Sequence, residues 1–180
     1  LPQTGDPAPD PEPTPDPEPE PAGPYGGTPA AIPGVIEASH YDHGGEGVAY
    51  SDNDAQNRAS STFRASEGVD ADETSVAYIQ TGEWLAYTVN VQQGGNYTMT
   101  VRAASKNGGG ALRLEAAGVN VSGTVSIDAT GGWNTYADFV AEGLSLSAGE
   151  QVLKVYMENG GFNLDKTTFT AEQSSAVKMP

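Results

Sequence analysis

The 180-residue chain carries 24 acidic and 8 basic side chains, a formal charge of −16, and no cysteine. That balance argues against nucleic acid and anionic membranes as partners, because both need clustered Lys and Arg, and it disfavours an anionic polysaccharide while favouring a divalent cation. No apolar run is long enough to span a bilayer, and the absence of cysteine is compatible with either redox compartment.

From the N-terminus, Leu1-Pro2-Gln3-Thr4-Gly5 matches the five-residue sortase signal. A working signal is followed by an apolar segment and a basic tail, and here an acidic stretch follows, so the match is given no role. Twelve of the thirteen prolines lie at or before Pro33, and from Asp6 to Pro21 proline alternates with Asp, Glu, Ala and Thr. Such a segment has almost nothing to bury and cannot offset the entropy of ordering. It reads as a disordered, extended spacer over residues 1–30, joining modules of a longer secreted polypeptide. Six acids lie in it, which leaves −10 on the remaining residues. Residues 31–171 read as one domain with its own core, and 172–180 as a tail.

Within that domain, short alternating runs recur between clusters of Gly, Asn, Asp and Ser, the pattern of an all-β fold. The first runs are Val35 to Ala38 and Val48 to Tyr50. In Trp84 to Val91, the residues Leu85, Tyr87, Val89 and Val91 share one face. Tyr97, Met99, Val101 and Ala103 form the inward set of the next run, and Gln93-Gly94-Gly95-Asn96 between the two reads as a hairpin loop. Leu112 to Leu114, Val119 to Ile127, Val152 to Met157 and Phe162 to Thr170 follow. No window shows a convincing helical stripe, so about ten short strands imply two packed sheets, a β-sandwich of jelly-roll type.

Two indoles stand out. Trp133 follows Gly131-Gly132, where a chain turns and a side chain can stand in solvent. It reads either as a platform that stacks on the C–H face of a sugar or as a lid on the core at a strand entrance. Trp84 lies opposite Leu85 and Tyr87, either on an open sheet face or packed under a covering loop. Phe63 sits in a polar loop, where its bland role is to anchor that loop to the sandwich. Asn163 lies between Phe162 and Leu164, and if those two point inward its amide points out. Glu37 and Asp165 lie in the opening and closing runs, which commonly pair in sandwiches. They are either two separate surface carboxylates or the charged part of a calcium site completed by carbonyls. Asp52-Asn53-Asp54 lacks the glycine and terminal glutamate of a helix–loop–helix calcium loop and reads as a polar turn. With so many acids some carboxyl pair always fits a glycosidase spacing, and no catalytic motif marks one. The chain is therefore expected not to be an enzyme.

Several separated motifs, in order, resemble one family: Val35-Ile36-Glu37-Ala38, Gly44 to Tyr50, Phe63-Arg64, Glu67-Gly68-Val69-Asp70, Gly82-Glu83-Trp84-Leu85-Ala86-Tyr87-Thr88-Val89, Gly131-Gly132-Trp133 and Gly161-Phe162-Asn163-Leu164-Asp165. Together they are similar to a family 6 carbohydrate-binding module. The resemblance implies a non-catalytic jelly roll, linked to a polysaccharide-degrading enzyme, with a loop cleft at the sandwich edge. There two aromatics clamp a sugar and an Asn bonds its hydroxyls. Carried over, Trp133 and Phe63 are the aromatics, Asn163 is the amide, and Glu46 is a carboxylate that recognises a terminal sugar. Some members bind on the concave sheet face instead. The family has Tyr where Phe63 is placed. Its opening commonly reads Ile-Glu-Ala-Glu, with both glutamates holding a structural calcium. Here Ser39 replaces the second, leaving Glu37 and Asp165 and weakening or abolishing the site.

The expectation is a secreted, monomeric module that targets a covalently linked catalytic module to a neutral β-linked polysaccharide, agarose or β-1,3-glucan first, at a chain end or within a chain. The alternatives are a small glycosidase or lyase, which needs a buried acid of raised pKa, and an adhesive sandwich, which needs a continuous exposed apolar patch.

Overall fold

The computed structural model describes residues 21–173, and the stretches 1–20 and 174–180, with the sortase-like motif and most of the expected spacer and tail, lie outside them. Eleven strands form two sheets. They are β1 (Ala30–Ile32), β2 (Gly34–Glu37), β3 (Tyr50–Ser51), β4 (Trp84–Val91), β5 (Gly95–Ala104), β6 (Gly110–Ala116), β7 (Val119–Asn120), β8 (Val125–Ile127), β9 (Ala137–Leu146), β10 (Gly149–Asn159) and β11 (Asn163–Ala171). The larger sheet runs β1-β4-β10-β6-β7, with β3 beside β4 and β8 beside β6. The smaller runs β2-β11-β5-β9. All pairs are antiparallel except β1 with β4. This is the expected sandwich.

Alternation builds the core. Leu85, Tyr87, Val89 and Val91 of β4 are buried, and they face Tyr97, Met99, Val101 and Ala103 of β5 in the other sheet. The Gln93–Asn96 segment is consequently not a hairpin loop. Each of the two strands needs its apolar face inward, and β4 and β5 meet that need from opposite sheets, so the short connection crosses between them. As expected, the opening and closing strands pair, with Glu37 opposite Lys166.

The folded body begins before residue 31. Gly23 and His43 exchange two backbone hydrogen bonds of 3.1 and 2.8 Å. The ring of Tyr25 stacks on His40, with centroids 4.1 Å apart and planes at 8°, and also on His43 at 5.7 Å. At the other end, the Glu172 carboxylate accepts from Thr98 Oγ1 at 3.1 Å and from the Gly143 amide at 2.6 Å, so this residue too belongs to the sandwich.

Met99 is fully buried in β5, which lies between β11 and β9. Met99→Ala is expected to lower unfolding free energy by about 2–5 kcal/mol, read as a lower urea midpoint at unchanged slope.

Candidate functional site

One edge of the sandwich is built from loops. The longest joins β3 to β4 and has no regular structure from residue 52 to 83. Two backbone hydrogen bonds lock it to β11: Val76 N–H to Leu164 O at 2.9 Å and Leu164 N–H to Val76 O at 2.8 Å. Gly160 and Gly161 bring the β10–β11 turn against the same loop. The Gly161 amide donates to Ile79 O at 3.0 Å, and a Cβ at Gly160 would stand 2.4 Å from that oxygen. Only glycine permits the approach.

Beneath the edge, buried Ser105 at the end of β5 ties three loops. Its Oγ donates to Gly161 O at 2.7 Å and accepts from the Gly108 amide at 3.0 Å. Its backbone oxygen accepts from Thr130 N at 2.7 Å and Thr130 Oγ1 at 3.0 Å. Gly131 then takes φ +92°, in the left-handed region open to glycine, and the chain turns outward to present Trp133 at 43% exposure.

Between these loops lies a cleft of about 580 Å³, whose lining includes Arg58, Asp72, Tyr78, Trp133, Asn134 and Asn163. Asn163 points outward between buried Phe162 and Leu164, as its place in the strand requires. Its Nδ2 donates to Trp133 O at 2.8 Å. That bond fixes the amide, holds the Trp133 loop to β11, and leaves Oδ1 and one N–H for a ligand. Tyr78 is 58% exposed with φ +50°, a left-handed conformation uncommon for a residue with a bulky side chain. Ser60, also at the cleft, has φ +55°. Backbone strain of this kind collects at binding sites.

The structure thus unites Trp133 and Asn163 but supplies a different second aromatic. Phe63 does not line the cleft. Its ring is half-buried against the core and 6.2 Å from Tyr25, because Asn57 Nδ2 holds the Phe63 and Ala71 carbonyls (3.4 and 2.9 Å) and folds that turn inward. Tyr78, rather than Phe63, lines the cleft with Trp133. Its signal was an aromatic in Val76-Ala77-Tyr78-Ile79, just ahead of the Gly82-Glu83-Trp84 motif. Glu46 is likewise absent from the cleft lining. It is exposed, and its Oε2 accepts from the Asp52 amide at 3.0 Å. On the face of the larger sheet, half-buried Trp84 lies beside Tyr156 across β4 and β10. Lys154 Nζ sits 3.7 Å from the Trp84 ring centre and Arg113 lies 4.0 Å above Tyr156, so both rings already hold cations.

The proposed calcium position does not suit the ion. Asp165 occupies a register break between β11 and β5, and its Oδ2 lies 3.2 Å from Arg102 Nε and 3.9 Å from Lys166 Nζ. A dication at this carboxylate would meet two positive groups. The residue that replaces the second glutamate, Ser39, is fully buried and its Oγ has no protein partner. It offers a neutral hydroxyl where a carboxylate would be needed. Among the described residues no group of three or more His, Cys, Asp or Glu is placed to hold a metal.

Carboxylates instead hold the long loop. Buried Glu83 accepts from the Gln80 and Asn53 amides at 2.8 and 3.3 Å, and buried Asp70 accepts from the Arg58 amide. Burial, reinforced by neighbouring Asp52 and Asp70, raises Glu83 from 4.5 to about 7. Burial likewise raises Asp52 from 3.8 to about 6, with Asp70, Asp54 and Glu46 adding to it.

The sandwich thus displays, in one edge cleft, aromatic rings and an oriented amide. The family model of the carbohydrate binding module (family 6) matches residues 37–171, and the chain belongs to that family, whose modules are non-catalytic. It is similar to the carbohydrate binding module from Cellvibrio mixtus lichenase 5A in complex with cellotriose, at 39% identity, covering 55% of this chain and 78% of that one, with a TM-score of 0.51. It is also similar to the C-terminal family 6 module of a marine laminarinase from Zobellia galactanivorans, at 29% identity, covering 76% and 97%, with a TM-score of 0.57. The clotting factor G alpha subunit of Tachypleus tridentatus is 32% identical over 98 residues, which are 52% of this chain but 14% of that protein.

Two outcomes are expected. Groups whose pKa is raised on folding stabilise fully below their unfolded values of 4.5 and 3.8, and that stability is lost as pH rises through about 7 and about 6. Urea unfolding should therefore give a lower stability at about pH 8 than at about pH 5, and Glu83→Gln should flatten the difference. Secondly, the melting temperature should be the same in excess calcium and in chelator, a rise with calcium being the contrary result.

Proposed function

We propose that this module works outside the cell, where it holds a covalently attached polysaccharide-degrading enzyme against a neutral β-linked glucan. A pyranose enters the cleft and stacks on Trp133 and Tyr78 while Asn163 bonds its hydroxyls. The observation that carries this reading is the meeting, in one cleft, of two exposed rings and an amide whose orientation is already fixed. Stacking needs only a ring face and a C–H face, and the fixed amide loses little entropy on binding. The gain is effective concentration of the attached enzyme at its substrate. One similar module is in complex with cellotriose and another belongs to a laminarinase, which favours a β-glucan, β-1,3-linked first, ahead of agarose.

Affinity electrophoresis through gels containing laminarin, hydroxyethylcellulose, xylan or agarose tests this. The wild type should be retarded by laminarin most. Trp133→Ala and Tyr78→Ala should each weaken binding about 5- to 150-fold, taking ~1–3 kcal/mol per stacked ring by analogy with base stacking. Retardation that survives both substitutions would move the site to the Trp84–Tyr156 face.

A further inference from the structure

Two charged side chains share the cleft with the rings, and neither is used by the stacking arrangement. Arg58 is one of only eight basic residues in the chain. Its backbone is fixed by Asp70, and its Nη2 lies 2.9 Å from Asp54 Oδ2, yet the side chain stays 52% exposed. A guanidinium has five N–H donors, and one such contact leaves most of them open. Asp72 is held differently. Its Oδ1 accepts from Thr74 N at 2.7 Å, Thr74 Oγ1 at 2.8 Å, Ser75 N at 2.7 Å and Ser75 Oγ at 3.4 Å. Burial works to raise its pKa, but these four bonds outweigh it and hold Asp72 below the ordinary value. All four go to one oxygen, so Oδ2 remains as an acceptor on an immobilised, ionised group.

The cleft lining therefore includes both a charged donor and a charged acceptor, together with an amide that can still donate and accept. A pair of adjacent sugar hydroxyls matches that lining, since each hydroxyl both gives and takes a hydrogen bond. A sulfate or carboxylate does not. It would meet the single cation Arg58, already paired with Asp54, while facing Asp72 in the same cleft and Asp70 behind the Arg58 backbone. Like charges this close cost more than one shared guanidinium returns.

We propose that Arg58 and Asp72 set the specificity of the cleft: Arg58 donates to, and Asp72 accepts from, adjacent hydroxyls of a neutral sugar, and a sulfated or carboxylated sugar is rejected there. This rests on the reading of the cleft as the sugar site.

The test uses matched pairs, laminarin with laminarin sulfate and hydroxyethylcellulose with cellulose sulfate, in affinity gels and titration calorimetry. Asp72→Asn keeps Oδ1 and hence the four loop bonds. Arg58→Lys keeps the charge facing Asp54 but loses the planar fork. The wild type should bind a neutral member, bind its sulfated partner at least about tenfold more weakly, and show little change with salt. Each variant should lose about tenfold or more for the neutral ligand at an unchanged melting temperature, as expected for hydrogen bonds to charged groups. Wild-type affinity in both variants, with Trp133→Ala still weakening binding, overturns this proposal and leaves the sugar site standing. An affinity loss matched by a fall in melting temperature assigns the two residues to the loop and overturns it too. Tight, salt-sensitive binding of the sulfated members overturns the neutral class. No binding of either neutral polysaccharide removes the underlying reading and this inference with it.

Discussion

Val76 and Leu164 exchange two backbone hydrogen bonds, and the loop edge with its cleft hangs from that exchange. It is the point at which a loop of some thirty residues, without strand or helix of its own, is made part of a sheet. Loops of that length inside a compact domain are uncommon and are usually functional. On one side of the junction the chain leads to Tyr78, and on the other to Asn163, so two groups far apart in sequence become neighbours. Gly160 then closes the remaining gap by letting the β10–β11 turn approach Ile79.

A loop of this kind needs internal partners for its backbone groups, and acidic side chains supply many of them. Glu83, Asp70, Asp72 and Asp52 all accept loop amides. Arg64 gathers the other end. It is almost buried, pairs with both oxygens of Glu67, donates to the carbonyls of Tyr41 and Asp42, and lies 3.5 Å over the Tyr41 ring. Much of the module's negative charge is thus structural, spent on amides that no strand ladder reaches. The carboxylates order the loop that lines the cleft.

How much of this was legible in the sequence follows from how local each cause is. β4 matches its alternating run residue for residue, and Trp133 and Asn163 were readable from two glycines and a strand face. β9 was missed because its outer face is mixed and Gly143 interrupts it, and β1 because three residues in parallel pairing leave no alternation to read. The β4–β5 connection looks like a hairpin to any local rule, and only the sandwich shows that it crosses. Tyr78 and Phe63 were exchanged for the same reason. Tyr78 is exposed on a left-handed backbone two residues beyond the Val76–Leu164 bonds, whereas Phe63 turns inward because Asn57 grips two carbonyls. The motif around Arg64, Glu67 and Asp70 was recognisable as a pattern, but its work proved to be holding the loop.

The Tyr25 clasp has a mechanical meaning. A pull on the chain ahead of the module enters at Gly23 and is met first by two hydrogen bonds to His43, and then by a ring stacked on His40. Only when these yield does tension reach β1 and the sheets. The clasp stands in series with the strands, and through the contact of Tyr25 with Phe63 it also touches the long loop.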